Sequence, residues 1–442
     1  MSDDAVMRNS SLDQSLEDAR RIYARGRPNS QRIHEEACQS MPGGNTRTVL
    51  YHGPFPLRAE GGKGAFLTDV DGHDYLNLLG EYTAGVFGHT DPAIVSALKK
   101  TLDGGINLGA HNSSEARLAA LVTERFPAIE KVRFTNSGTE ANLMALSTAR
   151  YVTGRSDVMV FKGGYHGGVF YFGGDGLPIN APFPFVVARY NDTEGTRDLI
   201  AAHAETLACV IVEPMLGSSG CIPGKPEFLE MLRRETERVG ALLIFDEVMT
   251  SRFGRHGASH MLGIRPDMIT LGKWVGGGMS FGAFGGNAAI MDVYDPTRPG
   301  TLPHAGTFNN NVLSMNGGIA ALSEAFTSDR AETLHARGER TRNRLNELFE
   351  RHGVTLFASG SGSLMNIHPV RGPVNTVDDI ADGDDRIKEL LFLDLLERGF
   401  YIARRGFIAL SQAVTEDDLD RFVSALDDVV TVRKSLLPKA DF

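Results

Sequence analysis

Between Glu81 and Phe326, short runs of wholly apolar residues alternate with amphipathic segments, and no other feature restricts the possible folds so tightly. The runs lie within "KVRFTNSG", "VMVFKGGYHG", "FVVARYN", "LACVIVEPM", "GALLIFDEVM" and "MITLGK". A strand that is apolar at every position is buried on both faces, and helices between such strands are the crossovers that parallel pairing requires. The expectation is an α/β fold with a mostly parallel central sheet covered by helices.

The flanks read differently. "SLDQSLEDARRIYARG" and "NSQRIHEEACQSM" are two helical segments separated at Pro28. A Gly- and Pro-rich loop leads from them to "GAFLTDVDGHDYLNLL", a hairpin turning at Asp71-Gly72. Beyond Ala331 come a long charged helix, the strand-like "GSLMNIHPV", a helix near "RIKELLFLDLLERG" and a last helix from Thr415. The expected division is an N-terminal arm over residues 1–80 packing with the small domain, a large domain over 81–326 and a smaller α+β domain over 327–442. The acidic "TVDDIADGDD" reads as a solvated loop.

Composition removes several function classes. No apolar run approaches a membrane span, and the acidic N-terminus shows neither a signal nor a transit pattern, so a cytoplasmic location is expected. A formal charge of −10 without a basic block argues against nucleic acid. Cys38, Cys209 and Cys221 are too few and too scattered for a disulfide framework or a zinc site, and no His-Glu-x-x-His occurs. Gly-x-Gly-x-x-Gly is absent, and no Gly-Lys pair is followed by Ser or Thr, which disfavours dinucleotide and triphosphate sites. No metal is expected; the partner is a small molecule.

Four features remain, each at the C-terminal end of a proposed strand, where open α/β sheets bind ligands. In "FTNSGTEANLMAL", Ser137, Gly138 and Thr139 open a helix whose free N–H groups suit a phosphate, although Ser137 to Glu140 also reads as a plain capping box. Tyr165, between glycine pairs in "VFKGGYHGG", could lie on a planar ring or simply pack at the strand end. Asp246 and Glu247 leave five apolar residues, and a carboxylate at such a mouth is costly without a partner. Lys273, in "TLGKWVGGG", is a strand-end amine whose charged form burial would disfavour, with three glycines expected to clear space beside it.

A phosphate, a planar ring, a ring nitrogen needing an anion and an aldehyde needing an amine belong together in pyridoxal 5′-phosphate. Through "NSGTEANLMA", "YHGG", "VEPM", "LLIFDEVMTSR", "LGKWVGGGMSFGAFGG" and "GTFNNNV", the chain resembles the class III pyridoxal-phosphate aminotransferases of fold type I over nearly its whole length. Within that class it resembles the aromatic β-amino acid (β-phenylalanine) enzymes through "MPGGNTRTVL", "EYTAGVFGH", "GGINLGAHN" and "RRGFIALS".

The resemblance implies that Lys273 bonds the cofactor aldehyde and serves as base, and that Asp246 pairs with the ring nitrogen. It gives Ser137, Gly138 and Thr139 to the phosphate, Tyr165 and Val248 to the ring faces, and Glu213 to their support. Thr307 would reach the phosphate of a neighbouring subunit, making a homodimer with interfacial sites, while Arg47, Tyr82 and Arg405 would face the substrate. Arg404 is expected in a surface ion pair, and Arg405, if buried, needs a resident partner. The implied reaction moves the amino group of a 3-amino-3-arylpropanoate to 2-oxoglutarate or pyruvate by a ping-pong path. An aminomutase resembling the glutamate-1-semialdehyde enzymes is the alternative, and a catalytically silent binding protein a remote one.

Overall fold

The computed structural model describes residues 11–173 and 176–439. Helices Leu12–Gly26 and Pro28–Cys38 open the described chain, the first capped by Ser11 and the second begun by Pro28, whose missing N–H is no loss at a first-turn position. Strands β1 (Ala59–Lys63), β2 (Phe66–Asp69) and β3 (Asp74–Asn77) form an antiparallel meander. The β2–β3 turn docks on the second helix, where Asp71 accepts from the backbone N–H groups of Asn29 (2.7 Å) and Ser30 (3.0 Å).

Nine further strands follow: β4 (Lys131–Thr135), β5 (Asp157–Phe161), β6 (Phe185–Ala188), β7 (Leu207–Val212), the short pair β8 (Met215–Leu216) and β9 (Ile222–Pro223), β10 (Leu242–Asp246), β11 (Met268–Gly272) and β12 (Gly282–Gly286). All but β8 and β9 make one seven-stranded sheet in the order β4-β12-β11-β10-β7-β5-β6. Every residue of β7 and of β11 is buried, as uninterrupted apolar runs require. The pairings β6–β5–β7–β10–β11 are parallel, whereas β12 runs antiparallel to both β11 and β4. Sequence periodicity misses β12 because "GAFGG" has no side-chain signature of a strand. Its composition is steric: a Cβ on Gly282 would lie 2.0 Å from the Ser137 carbonyl oxygen.

The C-terminal portion holds helices Ser328–His352, Asp385–Leu396 and Glu416–Arg433, the last started by a capping box between Thr415 and Asp418. Its strands are β13 (Phe357–Ser361), β14 (Leu364–His368), β15 (Phe400–Tyr401) and β16 (Phe407–Ala409). β13, β14 and β16 form one sheet, while β15 extends the N-terminal meander by pairing parallel with β3. The acidic stretch is more than a solvated loop. Its turn Val377–Ile380 presents Asp378 to Lys162 (2.7 Å) and Arg189 (2.5 Å), which directly follow β5 and β6. Among the described residues no helix is long and apolar enough to cross a membrane.

Candidate active site

The C-terminal ends of β4, β5, β7, β10 and β11 converge on one cavity of about 280 Å³. Ser137, Gly138, Thr139, Tyr165, Glu213, Asp246, Val248 and Lys273 all line it, together with Asn142, His166, Met249 and Phe281. Ser137 and Lys273 stand 136 positions apart in the sequence, and parallel winding brings them together because each successive strand delivers its C-terminus to the same edge.

One wall is the start of helix Gly138–Thr153. Ser137 is its N-cap, accepting from the Glu140 N–H at 3.1 Å. The capping box is incomplete: Glu140 accepts instead from the N–H of Asn136 at 2.7 Å, one residue earlier. The remaining first-turn N–H groups and the helix dipole leave this wall electropositive, suited to phosphate. Close packing holds it in place, since a Cβ on Gly138 would lie 2.9 Å from Val248 and one on Gly167 2.2 Å from Thr139.

Asp246 is 4% exposed and its carboxylate is held by three donors: Asn142 Nδ2 and His166 Nδ1, each 2.8 Å from Oδ2, and the Val248 N–H, 3.0 Å from Oδ1. Asn142 is itself oriented, accepting from Thr270 Oγ1 at 2.6 Å and donating to the His166 carbonyl at 2.9 Å. These contacts stabilise a buried anion, each charge-assisted bond by roughly 1.5–3 kcal/mol. Glu247 points away and caps the next helix through the N–H groups of Ala258 (2.7 Å) and Ser259 (2.9 Å). The adjacent carboxylates therefore have separate tasks.

Lys273 follows β11 with a positive φ of 55°, a conformation costing about 1–3 kcal/mol in a residue with a Cβ. Burial pushes its amine down to about 8 against the pull of Asp246 and Glu213, so about a tenth of it is free base at pH 7, far more than for an exposed lysine. Burial likewise pushes the Glu213 carboxyl upward, opposed by His166 and by the N–H groups of Tyr165 (2.9 Å) and Gly217 (3.0 Å). Glu213 thus fixes the backbone that presents the Tyr165 ring, which is 42% exposed at the cavity and packs edge-on against Tyr171.

Two of the three glycines after Lys273 serve packing rather than space beside the amine. A Cβ on Gly276 would strike Phe281 at 2.2 Å and one on Gly277 the backbone of Gly317 at 2.4 Å, so they let the chain pack against its neighbours. Trp274 is fully buried and donates from Nε1 to Ser251 Oγ at 2.9 Å, anchoring the lysine's neighbour to the turn after β10.

Arg47, Tyr82 and Arg405 form a second group. Arg47 is exposed and paired with Glu81. The Arg405 guanidinium lies 5.1 Å from the Tyr82 ring centre and 5.7 Å from that of Phe407, and donates to the Ser218 carbonyl at 2.9 Å and hydroxyl at 3.2 Å. Its resident partners are thus neutral, leaving the charge available to an anion. It is near enough to influence the titration of both Lys273 and Tyr165, and Arg47 that of Tyr165. Glu81, Tyr82 and Thr83 all have positive φ, a strained run. Arg404 pairs with Glu389 at 3.4 Å. Thr307 is exposed and lies outside the Lys273 cavity of its own chain, lining instead a cleft of about 790 Å³ with residues 106–112.

Asn142 and His166 are the residues that sequence reasoning passed over. Both occur within the quoted motifs, and their signal is the buried anion's need for donors. The donor set fits pyridoxal phosphate: a helix N-terminus for phosphate, a fixed carboxylate for the ring nitrogen, and a desolvated lysine for the aldehyde. Among the described residues no cluster of side chains could hold a metal ion.

Comparison with known proteins agrees with this chemistry. The profile of the family "Aminotransferase class-III" matches residues 50–430. The chain is 51% identical to the β-phenylalanine transaminase of Variovorax paradoxus, over 98% of this chain and all of that one. The crystal structure of a β-phenylalanine aminotransferase from Variovorax paradoxus matches with a TM-score of 0.96 at the same identity, covering 98% and 100% of the two chains. A solved transaminase with PLP bound matches at 0.84 with 31% identity, covering 92% and 98%. A glutamate-1-semialdehyde 2,1-aminomutase of Limosilactobacillus reuteri is 35% identical over 89% of this chain and 95% of its own.

Proposed function

The chain belongs to the class III aminotransferases, enzymes that use pyridoxal phosphate, and we propose that its amino donor is an aromatic β-amino acid of the 3-amino-3-phenylpropanoate type. The observation that carries this reading is the 51% identity to a β-phenylalanine transaminase along its entire length. The acceptor is 2-oxoglutarate or pyruvate.

When bound, pyridoxal phosphate supplies an aldehyde that exchanges amines and a ring that takes up the electrons released at the substrate carbon. In this reading Ser137, Gly138 and Thr139 hold the phosphate, and Tyr165 and Val248 confine the ring between them. Asp246, fixed in place by Asn142, His166 and the Val248 N–H, would pair with the ring nitrogen. Lys273 Nζ would be the amine that holds the aldehyde carbon. When free, the same nitrogen would serve as the base that takes the proton from the substrate carbon bearing the amino group and would return it at the carbon that had been the aldehyde. Arg405 and Arg47 anchor substrate carboxylates, with Tyr82 orienting Arg405; Arg405, whose partners are neutral, binds a carboxylate without first breaking an ion pair, whereas Arg47 exchanges its exposed pairing with Glu81.

The same reading takes residues 1–80 as an arm, 81–326 as the cofactor domain and 327–442 as the small domain. It is supported by sheet membership: the seven-stranded sheet lies within residues 131–286, the three-stranded one within 357–409. A homodimer is inferred in which Thr307 reaches the other subunit's phosphate. The exposure of Thr307 and of Ile106, Leu108 and Phe308 along one cleft supports it. A cytoplasmic location is inferred from three cysteines that form no disulfide.

The test is a half-reaction. Holoenzyme is mixed with each enantiomer of 3-amino-3-phenylpropanoate without keto acid, and the aldehyde-form absorbance of the cofactor is followed. Loss of that absorbance with one enantiomer, restored by 2-oxoglutarate or pyruvate, is the expected result. An unchanged spectrum with both enantiomers would remove this donor class, and turnover of an amino aldehyde without any acceptor would favour the aminomutase reaction instead.

A further inference from the structure

The turn Val377–Ile380 comes from the C-terminal portion of the chain, yet it lies across two loops that support the candidate active site. One loop leads from β5 through Gly163 and Gly164 to Tyr165. The other joins β8 to β9, and its Ser218 seats the Arg405 guanidinium through carbonyl and hydroxyl. A glycine marks each crossing. A Cβ on Gly163 would lie 2.4 Å from Val377 Cγ1, and one on Gly220 3.1 Å from Ile380 Cδ1, so the turn rests directly on both backbones.

The two loops also hold each other. Ser219 Oγ donates to the Gly163 carbonyl at 2.6 Å, which joins the residue after Ser218 to the backbone shortly before Tyr165. A shift of the turn over either glycine is therefore felt by the other loop.

The turn is braced within itself and fastened from outside. Thr376 and Asp379 form a reciprocal capping box, and Asp379 also accepts from the Asn375 N–H at 2.8 Å. Asp378 is left to face outward, pairing with Lys162 at 2.7 Å and with Arg189 at 2.5 Å. Asn191 Nδ2 adds a bond to the Asn375 carbonyl at 2.8 Å. Partly exposed ion pairs contribute little to overall stability. The effect of these two lies in where they act: Lys162 immediately precedes Gly163, and both cations extend strands of the seven-stranded sheet.

We propose that Asp378 is a positioning residue for substrate binding: it clamps the turn Val377–Ile380 over the two loops and so sets the separation between the Tyr165 ring and the Arg405 guanidinium. This rests on the reading in which Tyr165 backs the cofactor ring and Arg405 takes the donor's carboxylate. A β-amino acid carries its carboxylate one bond further from the aminated carbon than an α-amino acid does, so that separation is what a donor of this class must match. Asp378 does not line the cavity holding Lys273 and acts only through the loops beneath its turn.

The experiment is steady-state kinetics of cofactor-saturated holoenzyme with 3-amino-3-phenylpropanoate as donor. Asp378→Ala is expected to raise KM for the donor about five- to tenfold at about 20 mM salt, with kcat within a few-fold of wild type. The ratio of the two KM values should shrink toward one at about 0.5 M salt, where partly exposed pairs are screened in the wild type as well. Asp378→Glu should recover most of the loss. The double variant Lys162→Gln, Arg189→Gln should repeat the effect from the other side, whether or not Asp378→Ala folds. Arg405→Met should raise KM by itself, and adding Asp378→Ala to it should raise KM no further. An unchanged KM in the double variant, or a rise in Asp378→Ala that ignores salt or adds fully to that of Arg405→Met, overturns the proposal. No turnover of this donor by the wild type, or an unchanged KM in Arg405→Met, overturns the reading beneath the proposal and the proposal with it.

Discussion

Replacing Lys273 by methionine should stabilise the apoenzyme, although it removes the amine on which the reaction depends. Burial lowers the amine from its ordinary 10.5 to about 8, a difference worth about 3 kcal/mol at 1.36 kcal/mol per pH unit, and nearer 2 after discounting for water in the cavity. Because the folded value lies below the unfolded one, the unfolded chain binds the proton more tightly. The penalty is present in full below about pH 8, shrinks between 8 and 10.5 and vanishes above that. Equilibrium urea unfolding of apo wild type and apo Lys273→Met at one protein concentration should therefore show the variant more stable by about 2–3 kcal/mol at pH 7. The gap should close as pH rises through 10. Methionine also changes packing, but that contribution does not titrate. A gap of the same size at pH 7 and pH 10 would mean that packing, not a depressed amine, sets it. A wild type more stable at pH 7 would refute the electrostatic argument outright.

Three other perturbations probe separate parts of the site. His166→Phe leaves Asp246 Oδ2 with one donor fewer, which should cost about 1–3 kcal/mol and lower kcat roughly 10- to 100-fold with little change in KM, checked by steady-state kinetics. Arg405→Lys replaces a planar fork with a point charge and should raise KM for the carboxylate substrate about 10- to 100-fold while kcat stays within a few-fold; an unchanged KM would place the carboxylate elsewhere. Gly167→Ala must fit a Cβ 2.2 Å from Thr139 Oγ1 at a φ of 125°, so cofactor affinity measured by fluorescence quenching should fall at least about tenfold, with far-UV circular dichroism unchanged.

The sheet was legible because its strands are buried on both faces and say so at every position, as β7 does in "LACVIV". β12 was illegible for the opposite reason. Its glycines are selected by the backbone atoms that lie against them, and those belong to Ser137, Lys131 and Asp267, all remote in sequence. The glycines after Lys273 misled in the same way: three in a row look like room for a ligand, yet two of them meet Phe281 and Gly317. A glycine reports that something is close without reporting what.

The carboxylate at the end of β10 shows where inference from residues stops. Its burial made a partner obligatory, and that much followed from the five apolar residues before it. The donors, Asn142 and His166, stand 104 and 80 positions away, and each sits in a motif whose other members had stronger claims on attention. Arg252 extends the same logic to the opposite charge. Its neighbours in "MTSRFG" give no hint of burial, and only the fold reveals a guanidinium with one carbonyl for company. The obligation to satisfy a buried charge is a local property, but the group that discharges it is chosen by topology. For Asp246 the chain supplies it through Asn142 and His166; for Arg252 it supplies the carbonyl of Leu410.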